Sequence, residues 1–269
     1  MIFEEFRKKF IRGFTIQKNV ISALLYRELN ISLSKTSIGV FGVILEPLVT
    51  IMIFVGLQFL IKGALGVNMG INPFIFFGIG ILLFTIFSNT GLQAFSLIGQ
   101  NKPLFFYRPV KPIDAAITRA VVNACLFVIL LIIIFFVVGL FTDTLYINNF
   151  PLMVASITLL VIFSFAFQVI LMVASYRFPP IAKTARFLRR PLFFSSGTFF
   201  ASTALPQQFL KLALWNPLFH AIELTRSAAS ESYIIVNEIS LPYLFESTFI
   251  VLFFAIVIYA KNQDLLLRS

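Results

Sequence analysis

Apolar and polar positions alternate along this chain in long blocks. Residues 38–61, 73–95, 118–141, 151–176 and 242–259 are runs of Phe, Ile, Leu and Val with almost no charge. The hydrocarbon core of a bilayer is about 30 Å thick, and roughly 20 apolar residues cross it as a helix. Each run therefore predicts a membrane-spanning helix. A sixth stretch, 191–205, is shorter and mixes Phe193, Phe194, Phe199 and Phe200 with Ser195, Ser196, Thr198 and Ser202. It is expected to cross as a kinked fifth span. The moderately apolar residues 206–232 that follow carry Lys211, Glu223 and Arg226, and are expected to return partly into the outer leaflet. The period changes in 20–35. Ile21, Leu25, Leu29 and Leu33 recur every four residues, with Val20, Leu24 and Ile31 beside them and Tyr26, Arg27, Asn30 and Ser34 on the other side. That spacing predicts an amphipathic helix lying in the membrane interface. Glu28 falls within its apolar face, so a neighbouring helix or a partner protein has to accept the carboxylate.

Composition sharpens this picture. The chain is 59% hydrophobic and 12% charged, and 35 of its 269 residues are Phe. Soluble domains carry about 25% charge, so lipid is the solvent here. The net charge of +10 then reports orientation more than nucleic-acid binding. With the N-terminus inside and six crossings, 18 of the 21 Lys and Arg fall on the cytoplasmic side: seven before the first span, four in 99–119, five in 177–190 and two in the tail. Both termini are expected in the cytoplasm. An odd number of crossings would put Lys261 and Arg268 outside. The first 37 residues lack the apolar core of a signal peptide. Cys125 cannot form an intrachain disulfide, and reads as a small buried hydrophobe.

Reaction chemistry is hard to find. There is one His and one Cys, and neither metal-ligand spacing nor a GxxxxGK[ST] phosphate loop occurs. The chain reads as a transport subunit, not an enzyme, with no cofactor of its own. Glu46, beside Pro47, sits about 12 Å into the first span at 1.5 Å per residue. It is either a structural acid or a group in a substrate's way. In 108–114, Pro109 and Pro112 forbid a continuous helix, and Asp114 can cap the third span. The loop is either a solvated basic turn or a docking element for a cytoplasmic partner. At Trp215-Asn216-Pro217, Pro217 breaks the helix. Trp215 is an interfacial anchor or part of a gate, His220 reads as a hydrogen-bonded structural residue, and Glu223 and Arg226, three apart, can pair on one helix face.

An amphipathic N-terminal helix, two spans, a basic proline-rich loop, two more spans, a second basic loop, a short fifth span with a returning segment and a last span together resemble the permease subunit of type-2 ABC exporters. The loop Arg108-Pro109-Val110-Lys111-Pro112-Ile113-Asp114, after Asn101-Lys102-Pro103, resembles that of the capsular-polysaccharide export permeases. Asn216-Pro217 followed by His220-Ala221-Ile222-Glu223 and Arg226 resembles the re-entrant element before the last span. The resemblance implies an all-α integral membrane protein of six spans in a bacterial inner membrane. It also implies a homodimer with the path between protomers and two ABC ATPase subunits carrying ATP and Mg. The substrate would be a lipid-linked polysaccharide, passed on to periplasmic and outer-membrane export proteins, and no nucleic acid is involved. It assigns ATPase docking to Arg108, Pro109, Lys111, Pro112 and Asp114, and a periplasmic gate to Trp215, Asn216, Pro217, His220, Glu223 and Arg226. Aromatic faces let a glycan slide, so Tyr26, Phe199 and Phe200 are candidates for the path, with Glu46 and Arg27. Arg186, Arg189 and Arg190 are candidates for an acidic head group. Export of an O-antigen or teichoic-acid-like polymer by the same mechanism is the nearest alternative. An ion-coupled small-solute carrier is the alternative from another class.

Overall fold

A computed structural model describes residues 2–34, 40–65, 70–107, 109–142 and 147–267, and among them every regular element is helical. The helices are α1 (Ile2–Ser34), α2 (Val40–Leu65), α3 (Pro73–Phe87), α4 (Leu97–Asn101), α5 (Pro112–Thr142), α6 (Phe150–Arg177), α7 (Pro180–Ser195), α8 (Gln207–Ala213), α9 (Pro217–Ala229) and α10 (Leu241–Leu267). Among the described residues, four stretches are long and apolar enough to cross a membrane: Pro73–Leu104, Pro112–Thr142, Phe150–Arg177 and Leu241–Leu266. In α2 the apolar part described is Ile44–Leu60.

Three helices begin with the same local device. Asn72, Asn149 and Asn216 each accept a backbone N–H of the first turn, from Phe74, Leu152 and Leu218, at 2.9, 3.1 and 3.1 Å. Each is followed by a proline within the first two helical positions. The side chain satisfies one orphan donor, and proline brings none to satisfy.

The α3 stretch is the axis of the fold. Its apolar window is 89% buried, against 17% for the last span. α2, α5, α6 and α9 pack around α3, α10 packs on α6 and α9, and α1 lies against α5 and α2. The outer faces of α5 and α10 present Ile132, Phe136, Phe141, Phe249, Phe253 and Phe254, as lipid-facing helices do. Cys125 lies on an exposed face of α5, so it is not the buried hydrophobe that its apolar neighbours suggested. At the end of α3 one turn widens into a π-helix, Ser88–Leu92. At Gly91 this turn passes close to α6: a Cβ there would lie 3.2 Å from the Phe167 ring.

Two expectations change. Residues 191–205 are not one helix: α7 ends at Ser195, Gly197 takes a left-handed φ of 77°, and a single 3-10 turn spans Ser202–Ala204. Polar Ser196, Thr198 and Ser202 are buried there: Ser196 bonds locally to Phe193 and Thr198, whereas the Thr198 carbonyl and Ser202 meet distant partners, Arg226, Glu223 and Val236. The N-terminal helix is also longer than 20–35 and is rotated. Its buried stripe is Leu24, Glu28 and Ser32, whereas Leu29 is exposed. Burial follows Glu28, whose charge is neutralised inside the bundle.

Candidate functional site

Three polar sites lie in series along α3. Phe76 and Gly80 belong to the first, Ile81 to Gln93 face the second, and Gln93 to Asn101 belong to the third.

The first is a hub around Arg226 on α9. Glu223 and Arg226 pair at 2.9 Å and both side chains are wholly buried. The guanidinium also donates to the carbonyls of Gly197 (2.7 Å), Thr198 (2.9 Å), Phe76 (3.1 Å) and Phe200 (3.3 Å). Its carbon stands 3.5 Å from the centre of the Phe76 ring. Glu223 in turn accepts from the Ser202 N–H at 2.9 Å and the Tyr233 hydroxyl at 2.8 Å. Burial pushes the Tyr233 phenol far above its ordinary range, so it remains a donor. Gly80 lets α3 approach, because a Cβ there would lie 2.6 Å from Arg226 Nη2. The planar fork of arginine suits this convergence of carbonyls. The hub pins the non-helical residues 197–201, and Ser202 after them, between α3 and α9.

His220, one turn from Glu223, uses both ring nitrogens. Nδ1 accepts the Ser240 N–H at 3.2 Å, which makes Nε2 the donor to the Leu214 carbonyl at 2.9 Å. The Tyr243 ring stacks on it at 4.5 Å between centroids. Burial lowers the His220 pKa from the ordinary 6.5. The unfolded chain therefore binds this proton more readily than the folded one. The stabilisation is complete above the unfolded value and is lost as pH falls toward the lowered folded value. The thermal midpoint in detergent is expected to drop between pH 7.5 and pH 5.5, and this drop is expected to shrink in His220→Gln. Trp215 stays exposed, and its carbonyl accepts from the Tyr243 hydroxyl at 2.9 Å. Asn216 is the cap of α9 and Pro217 its first residue, so α8 and α9 are two short helices meeting at Asn216-Pro217.

The second site is a cavity of about 420 Å³ in mid-bundle. Its polar lining is Ser32 of α1, Glu46 and Thr50 of α2, Thr85, Asn89 and Gln93 along α3 and its π-turn, Asn123 of α5, and Arg189 and Arg190 of α7. Phe84, Phe127 and Phe193 complete it. Glu46 is exposed within its helix, and Gln93 donates to Asn89 at 2.9 Å. An acid, two guanidinium groups and several amides around one hollow can receive a polar or anionic group. They offer no nucleophile–base pair. Phe199 does not line this cavity. It meets Phe54 at a tilt (4.2 Å) and Phe193 edge to face (4.7 Å), and Phe193 meets Phe84 at 4.8 Å, so the aromatic row leads to the cavity wall. Phe200 packs on Phe219 at 6.4 Å and gives its carbonyl to the hub.

The third site joins α1, α4 and α5. Arg119 donates to Glu28 at 2.9 Å and to the Gln100 amide oxygen at 2.5 Å, and Arg119 and Glu28 are buried. Arg27 donates to the Gln100 carbonyl at 2.9 Å and to the Asn101 side chain. Arg27 also borders an open hollow with Tyr26, which is 72% exposed. Of the docking candidates, Pro109 and Lys111 are exposed, Pro112 opens α5, and Arg108 lies outside the described residues. The side chain of Arg186 does as well. Asp114 is buried and is not the cap residue. From the third position of α5 it reaches back to the Lys111 N–H at 2.9 Å and accepts from Gln17 at 2.5 Å. Phe106 and Tyr107, missed in the sequence, are 79% and 67% exposed beside these residues.

No family model matches the chain. Over 257 residues it is 33% identical to the polysialic acid transport protein KpsM of Escherichia coli, covering 96% of this chain and 98% of that protein. It belongs to the capsule-export permease family. The capsule polysaccharide export inner-membrane protein BexB of Haemophilus influenzae is 26% identical over 262 residues, 94% of each chain. CtrC of Neisseria meningitidis serogroup B, of the same description, is 24% identical over 241 residues, 86% of this chain and 87% of that one. Sequence reasoning missed Arg119, Gln93, Asn123 and Gly80. Arg119 alone had a signal, a charge one residue inside an apolar run.

Proposed function

We propose that this permease is the membrane subunit of an ATP-driven exporter that moves a lipid-linked capsular polysaccharide outward across the inner membrane. The observation that carries the reading is the near full-length likeness to a polysialic acid transport protein. The chain works as a homodimer with two ABC ATPase subunits that bind ATP and Mg, and hands its polymer to periplasmic and outer-membrane export proteins. The four long apolar stretches, α2, and α7 together with the segment after it make six crossings, with both termini in the cytoplasm as the Lys and Arg bias requires. Phe106, Tyr107, Pro109 and Lys111 then face the cytoplasm and dock the ATPase. The α8–α9 pair forms the re-entrant periplasmic element, with the Arg226 hub as its fixed base and Trp215 at its moving rim.

In this reading the cavity lies beside the path. Glu46, Arg189 and Arg190 handle the acidic end of the substrate, while Phe199, Phe193 and Phe84 offer it aromatic faces. Guanidinium groups recognise phosphate and carboxylate with geometry as well as charge. The test is a producing strain without this chain. Polymer should accumulate inside the cell, and the wild-type chain should restore it to the surface. Arg189→Glu/Arg190→Glu should restore little, while remaining in the membrane at normal level. Full surface capsule in the strain without the chain would sink the proposal, and full restoration by the double variant would remove the cavity from the path.

A further inference from the structure

We propose that Arg119 is a positioning residue that makes α1, the loop 102–111 and the cavity move as one body. The proposal rests on reading that loop as the ATPase contact. Arg119 is 4% exposed and its guanidinium points three ways. Nε donates to Glu28 of α1, Nη2 to the Gln100 side chain of α4, and Nη1 to the Gln93 carbonyl at 3.4 Å. Gln93 lines the cavity, and so does Ser32, one helical turn beyond Glu28.

Helix α1 holds the loop at both ends. Before the loop, Arg27 grips Gln100 and Asn101. After it, Gln17 grips Asp114, whose other oxygen binds Lys111 of the loop itself. A loop tied at both ends to one helix cannot shift without carrying that helix. Displacement at the loop therefore reaches the cavity by two routes, through α4 to Gln93 and through α1 to Ser32. Arg119 is the tie between the two routes. Apolar side chains slide past one another with little penalty, whereas a directional polar network has few arrangements. A buried ion pair is a poor source of stability compared with an apolar pair of the same volume. Its fixed donor geometry is well suited to holding three elements in register.

The test uses the permease co-expressed with its ATPase in a producing strain, with polymer export, ATP hydrolysis and membrane level all measured. Arg119→Gln should lower the membrane level, because Glu28 stays buried without its counter-charge. Basal hydrolysis per molecule should be kept, while the ATP consumed per polymer exported rises about tenfold or more. The doubly neutral Glu28→Gln/Arg119→Gln should show the same rise at normal membrane level. The charge-exchanged chain Glu28→Arg/Arg119→Glu restores the ion pair but no donor to Gln100 or Gln93, so it should recover membrane level and not coupling. In a Cys125→Ser background, Glu28→Cys/Arg119→Cys should be uncoupled until a bifunctional maleimide joins the two positions. Normal coupling in Arg119→Gln would overturn the proposal. So would export falling only in step with membrane level in every variant, because Arg119 would then be structural. Absence of any ATPase bound to the unmodified chain would instead defeat the docking reading, and this proposal with it.

Discussion

Arg226→Met is expected to cost about 3–5 kcal/mol of stability, because it leaves the Glu223 carboxylate buried without its counter-charge. That is a large share of a total that is roughly 5–15 kcal/mol for most proteins. The guanidinium also serves backbone carbonyls from Phe76 and from residues 197–200. Arg226→Lys should therefore recover only part of the loss, since a point-like ammonium cannot span these acceptors. Glu223→Gln keeps an acceptor for Ser202 and Tyr233 and should be milder than Arg226→Met. Thermal midpoints in detergent and membrane levels would measure all three. An unchanged midpoint in Arg226→Met would mean that water reaches the pair. Export should fall in proportion to protein level, which separates this hub from the cavity variants.

The second large effect is expected at the loop. Phe106→Asp/Tyr107→Asp should leave the protein in the membrane with an unchanged midpoint, because both rings already face outward. Export should fall to background and the ATPase should no longer co-purify. Placing charge in a desolvated protein contact typically costs several kcal/mol, whereas in a solvated turn it costs almost nothing. Lys111→Glu should act in the same direction. Asp114→Lys is a poorer probe, because Asp114 is buried and its loss would disturb Lys111 and Gln17 from inside. Normal export by the aromatic double variant would return this loop to a topological role.

The sequence by itself determined the apolar helices and the polar loops between them, but not the start of α1 or the cap of α5. It also determined the Glu223–Arg226 pairing. Each of these is a short-range property. A run of apolar residues has only helix as a way to satisfy its backbone in lipid, an Asn-Pro start acts within three residues, and residues three apart share a helix face. The break at Asn216-Pro217 was legible for the same reason. The partner of Glu28 was not, because Arg119 lies 91 residues away and any buried cation would have met the requirement. The rotation of α1, the burial of Asp114 and the non-helical course of 196–201 were likewise decided by packing. So was the cavity, whose lining comes from α1, α2, the α3 stretch, α5 and α7. Glu46, Arg189 and Arg190 are conspicuous in the sequence, yet nothing in their spacing brings them together. Helical periodicity says which way a side chain points from its own axis, and only the packed bundle decides what stands there.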